Sequence, residues 1–228
     1  PGWRVAHAMR YGNPSMGKVL QALRDEGVRR VRVLPLYPQY STTTTASVAD
    51  VIARQGDGMH IEMLQDYHRD GDWASAVARS IRAHWDAQGR GERVLLSFHG
   101  IPQRLVDAGD PYAAQCEAST VAIAEALGIS RSEILVTFQS RFGKERWLQP
   151  YTQQTLEGLA RDGVRTIDIA CPGFAVDCLE TLEEIAVENA HAFRAAGGEA
   201  LRYIPCLNDG DAHAQALAML ARGEAGWA

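Results

Sequence analysis

The chain has only four cysteines, Cys116, Cys171, Cys178 and Cys206, scattered over 228 residues without a C-x-x-C pair. A protein of this length builds a core without disulfides, so free thiols in a reducing, cytoplasmic setting are expected. No apolar stretch approaches the length of a membrane span, and the N-terminal residues show no secretory h-region. No long Lys/Arg run occurs, and the formal net charge is −5. Both features argue against nucleic-acid binding and against an anionic membrane surface. G-x-G-x-x-G and G-x-x-x-x-G-K-S/T segments are also missing, which removes the foothold for a dinucleotide or P-loop site. There is no internal repeat and no low-complexity tract. The first residue is Pro1 rather than methionine, so processing or a lost beginning is expected.

What the chain does have is a regular alternation of short β-branched runs and longer amphipathic stretches. Strands are expected at Trp3–Ala8, Val31–Leu36, Ile61–Gln65, Val94–Phe98, Ile134–Phe138, Thr166–Ala170 and Ala200–Ile204. Helices are expected near 15–26, 45–55, 72–88, 112–127, 152–162, 178–196 and 210–222. Asp110-Pro111 offers an N-cap followed by proline, while Gly27, Gly128, Gly163 and Gly197-Gly198 close helices. Apolar strands separated by helices imply parallel sheets joined by right-handed crossovers. The polar segment 87–92 is the best boundary, dividing the chain into 1–88 and 89–228. Four strands follow it and three precede it, so the first half is short by at least one strand.

Three glutamates stand four residues apart, Glu180, Glu184 and Glu188, after Cys171-Pro172-Gly173-Phe174. In an α-helix that step returns to nearly the same face, where like charges repel by a few tenths of a kcal/mol per pair. A solvated acidic face is one reading and a stripe that meets a cation is another. His99 favours the second. It ends the strand Val94–Phe98 and precedes Gly100-Ile101-Pro102, and ligands of parallel α/β sheets gather beyond the carboxyl ends of strands. Imidazole facing carboxylate suits a divalent metal such as Fe²⁺, Zn²⁺ or Co²⁺, held with positions left open. The stripe could pass metal or protons. Arg10-Tyr11-Gly12 and Tyr37-Pro38-Gln39-Tyr40-Ser41 also follow strands, where aromatics and an arginine suit a flat, apolar, anionic ligand. Trp147 lines the same cleft or packs as ordinary loop.

These segments together resemble the ferrochelatases, bacterial and of proteobacterial type. Arg10-Tyr11-Gly12, Tyr37 to Ser41, Ser97 to Pro102, Gly109 to Tyr112, Thr137 to Arg141, Trp147-Leu148 and Pro172 to Leu182 occur in the family's order across essentially the whole chain. The resemblance implies an α/β fold of two Rossmann-like, chelatase-type domains, each a parallel four-stranded sheet flanked by helices, the first incomplete here. It implies that His99 and Glu180 are the metal-facing and catalytic pair. Glu184 and Glu188 match an acidic face that conducts metal or protons, and Asp177 a carboxylate that supports the histidine. Arg10, Tyr11, Tyr37, Trp147 and Phe174 match positions lining a porphyrin cleft, with Arg10 and Tyr11 opposite His99. Three departures accompany these matches. A lip-like N-terminal segment of the family is missing, Cys178 stands where animal members have a second histidine, and Thr42 with the cysteine-poor end implies no iron–sulfur cluster.

The activity so implied is insertion of Fe²⁺, a substrate, into protoporphyrin IX to form protohaem, with release of two protons. Alternatives are a chelatase for cobalt or for coproporphyrin, and a shortened porphyrin- or metal-binding module without turnover. Expected partners are the porphyrin and, transiently, a membrane surface or other haem-pathway enzymes.

Overall fold

A computed structural model describes residues 2–223 together with Gly226 and Trp227. The first lobe contains α1 (Met16–Asp25), β1 (Arg30–Val33), α2 (Thr45–Gln55) and β2 (His60–Met63). β1 and β2 pair in parallel, Arg30 opposite His60 and Val33 opposite Met63. Their core is small: Met16, Leu20, Val48, Val51 and Met63. Residues 3–8, expected as a strand, form none; they are exposed and enter no ladder. The Met9 N–H instead donates to the Pro14 carbonyl at 2.8 Å, closing a turn that leads into α1. β propensity makes a strand only where a neighbour can pair with it. The first sheet therefore has two strands among the described residues, not the three expected.

The second lobe follows with α3 (Gly71–Gln88), β3 (Arg93–His99), α4 (Gln103–Asp107), α5 (Tyr112–Leu127), β4 (Ile134–Gln139), α6 (Thr152–Arg161) and β5 (Thr166–Ala170). A π-helix, Glu180–Asn189, runs into α7 (Ala190–Ala195), then come β6 (Ala200–Ile204) and α8 (Asp211–Arg222). The four strands are parallel in the order β4-β3-β5-β6. Val94 to Phe98 are all buried, as a strand covered on both faces must be. The pleat splits them: Leu96 and Phe98 join one core with Trp73, Ile81 and Ile123, and Leu95 joins the other with Leu156 and Phe193. α3, α5 and α8 thus cover one face and α6 and α7 the opposite one.

α3 starts where the Asp70 carboxylate accepts the Trp73 N–H at 2.8 Å. It precedes the boundary expected at 88/89, yet Trp73, Val77 and Ile81 sit in the core of the second sheet. Segment 87–92 is the connection from α3 into β3. Asp168, fully buried in β5, secures that connection by accepting from Arg202 Nε at 2.7 Å, Trp85 Nε1 at 2.9 Å and Gly91 N at 2.7 Å.

The glutamate helix, expected to be α throughout, is π over its first ten residues. Two of its carbonyls bond side-chain amides, Glu180 O with Gln139 Nε2 at 2.6 Å and Glu184 O with Asn189 Nδ2 at 2.7 Å. The wider i→i+5 turn means that a four-residue step no longer overshoots a full revolution as it does in an α-helix.

Candidate active site

From β3 the chain crosses to β4 on one side, and from β5 to β6 on the other. The adjacent carboxyl ends of β3 and β5 flank the point where strand order reverses, the crevice in which open α/β sheets bind ligands. His99 ends β3 there, and Cys171 to Glu180 leave β5 there. His99 Nδ1 lies 2.6 Å from the Gly100 carbonyl oxygen. A carbonyl only accepts, so Nδ1 carries the hydrogen and the Nε2 lone pair of a neutral ring stays open. Gly100 has no room for a side chain: a Cβ would meet the Gln139 carbonyl oxygen at 2.9 Å and Trp147 Cε3 at 3.2 Å. Two aromatic rings neighbour the imidazole, Trp147 with centroids 6.5 Å apart and Phe174 at 6.2 Å.

His99 and Glu180 line one cleft of about 810 Å³. The first lobe contributes Tyr11, Tyr37, Ser41, Thr43 and Thr44 to it; the second contributes Trp147 and Phe174. A hydrogen bond from the Cys178 thiol, then Glu180's own backbone N–H, hold the Glu180 carboxyl below the usual range, with a smaller contribution from His99. Glu180 is thus an anion at neutral pH, within electrostatic reach of His99, in the wall of an aromatic-lined crevice.

Other residues singled out in the sequence lie elsewhere. Arg10 does not line the His99 cleft. Its Nε donates to the Ser47 carbonyl at 2.8 Å, its guanidinium stacks on Tyr11 at 4.4 Å, and it borders a neighbouring apolar cavity of about 460 Å³. Asp177 does not bond the imidazole. It accepts from Tyr203 Oη at 2.5 Å, Asn208 Nδ2 at 2.8 Å, and Thr181 Oγ1 and Cys206 N at 3.2 Å each. Burial pushes its carboxyl up, but the donors Asn208, Tyr203 and Cys206 outweigh this and hold it below the usual range. Asp177 braces the loop before the π-helix against β6. Glu184 faces a separate polar cavity of about 330 Å³, where it accepts from Ser140 N at 2.7 Å and from the Ser140 hydroxyl. Glu188 is exposed.

Two residues to which the sequence reading gave no role in the site organise it. Gln139, in register with His99, accepts from Ser97 Oγ at 2.7 Å through Oε1 while its Nε2 holds the Glu180 carbonyl. Asp110 joins the lobes, its carboxylate accepting from Ser41 Oγ at 2.9 Å and from Thr42 N and Oγ1 at 2.7 Å each. Both lie inside segments used for the family match, but only distance shows what they hold.

Fold and site together define a two-lobed α/β protein of chelatase type. A solved structure titled SirB from Bacillus subtilis with Fe3+ superposes with a TM-score of 0.67 at 14% identity, covering 92% of this chain and 79% of that one. The ferrochelatase family model matches residues 1–225, and the chain belongs to the ferrochelatase family. It is 55% identical to the ferrochelatase of Xylella fastidiosa (strain 9a5c) over 225 residues, 97% of this chain and 70% of that protein. It is 48% identical to the Aeromonas hydrophila ferrochelatase over 220 residues, 95% and 68% of the respective lengths.

Proposed function

We propose that this protein is a ferrochelatase, a lyase that inserts Fe²⁺ into protoporphyrin IX, with His99 and Glu180 as the groups that meet the metal and the departing protons. The carrying observation is their joint position at the strand-order reversal, in an aromatic-lined cleft of a size suited to a large organic ligand. A free porphyrin holds two pyrrole N–H protons that must leave as the metal enters. His99 Nε2 offers a lone pair to a proton or to Fe²⁺, and the Glu180 carboxylate offsets the charge of whichever arrives. Tyr11, Tyr37, Trp147 and Phe174 would contact the macrocycle faces and favour a bent ring whose nitrogen lone pairs turn toward His99. Glu184 and Glu188 would pass metal or protons along the π-helix; Ser140 must release Glu184 for that role. Arg10 acts in this reading by fixing Tyr11, and Asp177 by bracing the helix start.

Cys116 and Cys171 lie in separate cores on the two faces of the second sheet, a placement that does not bring them to one cluster and supports the cluster-free reading. Among the described residues no helix is long and apolar enough to cross a membrane. The free cysteines fit a reducing cytoplasm.

Anaerobic absorbance titration tests the reading. Protoporphyrin should bind and, on addition of Fe²⁺, give the haem spectrum. Binding without conversion would favour a porphyrin-holding module. Faster conversion of coproporphyrin, or of Co²⁺ in place of Fe²⁺, would favour the sister chelatases.

A further inference from the structure

Next to His99 the ends of three strands are joined through one side chain. Gln139 ends β4, and its amide reaches across β3 to the chain leaving β5. Its Oε1 accepts from Ser97 Oγ at 2.7 Å and from Cys171 Sγ at 3.3 Å, while Nε2 donates to the Glu180 carbonyl at 2.6 Å. Ser97, Gln139 and Cys171 are all buried, so bulk water does not compete for these bonds. Ser97 lies two residues before His99 on the same face of β3. Thr152 Oγ1, at the start of α6, stands 2.8 Å from its hydroxyl. Burial pushes the Cys171 thiol up, so it keeps the hydrogen that it donates.

An amide has one end that only accepts and one that only donates, so its orientation decides what Glu180 meets. With two donors on Oε1, Nε2 faces the Glu180 carbonyl. Turned over, the amide would set its oxygen against that carbonyl, two acceptors with no hydrogen between them. We propose that Ser97 and Cys171 are positioning residues for Glu180, acting through the orientation of the Gln139 amide. This inference rests on the reading above that Glu180 meets the metal. One donor still keeps the amide turned; loss of both frees it to rotate and releases the first residue of the π-helix. The two donors therefore back each other up, and removing them together costs more than the separate losses combined. Neither residue lines the His99 cleft, so the walls that would hold the porphyrin are untouched.

The test compares the unmodified protein with Ser97→Ala, Cys171→Ala, the double alanine variant and Ser97→Ala/Cys171→Ser. Each is measured in anaerobic Fe²⁺ insertion and in spectral titration by protoporphyrin. Each single alanine variant keeps one donor and should raise the Fe²⁺ KM only a few-fold. The double variant should raise it roughly tenfold beyond the product of the single effects, with the porphyrin dissociation constant near its original value. Single effects that simply multiply overturn the inference, and so does a parallel loss of porphyrin affinity. If the double alanine variant does not fold, Ser97→Ala and Ser97→Ala/Cys171→Ser still decide. A hydroxyl is a stronger donor than a thiol, so Cys171→Ser should bring the Fe²⁺ KM of Ser97→Ala back toward the unmodified value; no recovery overturns the inference. If the unmodified protein inserts no Fe²⁺, or Glu180→Gln inserts it equally well, the functional reading falls and takes this inference with it. If Glu180→Gln is impaired and the double variant is not, only the inference falls.

Discussion

At the scale of single residues, the site depends on what each side chain is denied as much as on what it offers. Gly100 shows this most directly. A side chain there would press on a backbone carbonyl and on the indole that flanks His99, and neither can yield without moving the imidazole. Gly100→Ala should therefore cost about 1–3 kcal/mol of stability by overpacking and lower insertion activity beyond what the stability loss explains. Thermal unfolding and steady-state rates on one preparation check both. Unimpaired activity would mean that Trp147 and His99 tolerate displacement. The positions of His99 and Glu180 were legible in the sequence because strand ends and motif order mark them. The places of Arg10 and Asp177 were not. Each sits beside the right segment, but its hydrogen bonds are satisfied by Ser47 in one case and by Tyr203, Asn208 and Cys206 in the other. Partners that lie 26 to 37 residues away in the chain leave no local signal.

At the scale of elements, helices 45–55 and 112–127 and strands 166–170 and 200–204 keep the bounds expected for them. The N-cap of 112–127, however, falls on Pro111 rather than on Asp110, whose carboxylate is turned to the first lobe and reaches only the Tyr112 N–H. Two elements differ. Residues 3–8 have strand composition but no pairing neighbour among the described residues, and the 180–189 helix has α spacing but π geometry. Its departure from α coincides with carbonyls drawn to side-chain amides, one from Asn189 within the helix and one from Gln139 in β4, a tertiary contact that periodicity does not register. Gln139 joins the sheet to this helix. Gln139→Leu keeps the bulk but leaves the Ser97 hydroxyl and the Glu180 carbonyl without these partners, which should cost about 1–3 kcal/mol. The variant should also raise the KM for Fe²⁺ while porphyrin binding holds, since Glu180 loses its anchor and the aromatic walls do not. Denaturant unfolding and separate titrations of the two substrates distinguish these effects. A change in porphyrin affinity alone would contradict the assignment.

At the scale of the whole molecule, the cleft exists only while the two lobes stay together. Asp110 does much to hold them, through the Ser41 and Thr42 donors of the first lobe and the Tyr112 N–H of its own. Burial pushes its carboxyl up, but the Thr42, Tyr112 and Ser41 hydrogen bonds outweigh that and set it below the usual range. The sign follows from linkage. A carboxyl with a lowered folded pKa adds stability that is full above its unfolded value of about 3.9 and is lost as pH falls through the folded value. Asp110→Asn turns an amide N–H₂ toward groups that are themselves donors. It should lower stability by about 1–3 kcal/mol at neutral pH and flatten the loss of stability below about pH 4. Thermal midpoints of both proteins across pH 3 to 7, a range set by those pKa values, check this. Parallel curves would exclude Asp110 as the titrating link. Sequence punctuation placed the division between halves at 88/89, whereas α3 packs with α5 and α8 on the second sheet. Polarity marks the connection, but burial decides to which core a helix belongs.

The central claim is that His99 and Glu180 act on metal and protons in a cleft that binds porphyrin without them. The most direct measurement is anaerobic Fe²⁺ insertion by His99→Ala and Glu180→Gln, with porphyrin affinity determined on the same samples by absorbance titration. Both variants should keep porphyrin binding within a few-fold and the thermal midpoint near that of the unmodified protein. His99→Ala should lose insertion by at least about a hundredfold, the scale on which a positioned acid–base group contributes. Insertion at the unmodified rate by His99→Ala, with porphyrin still bound, would contradict the account.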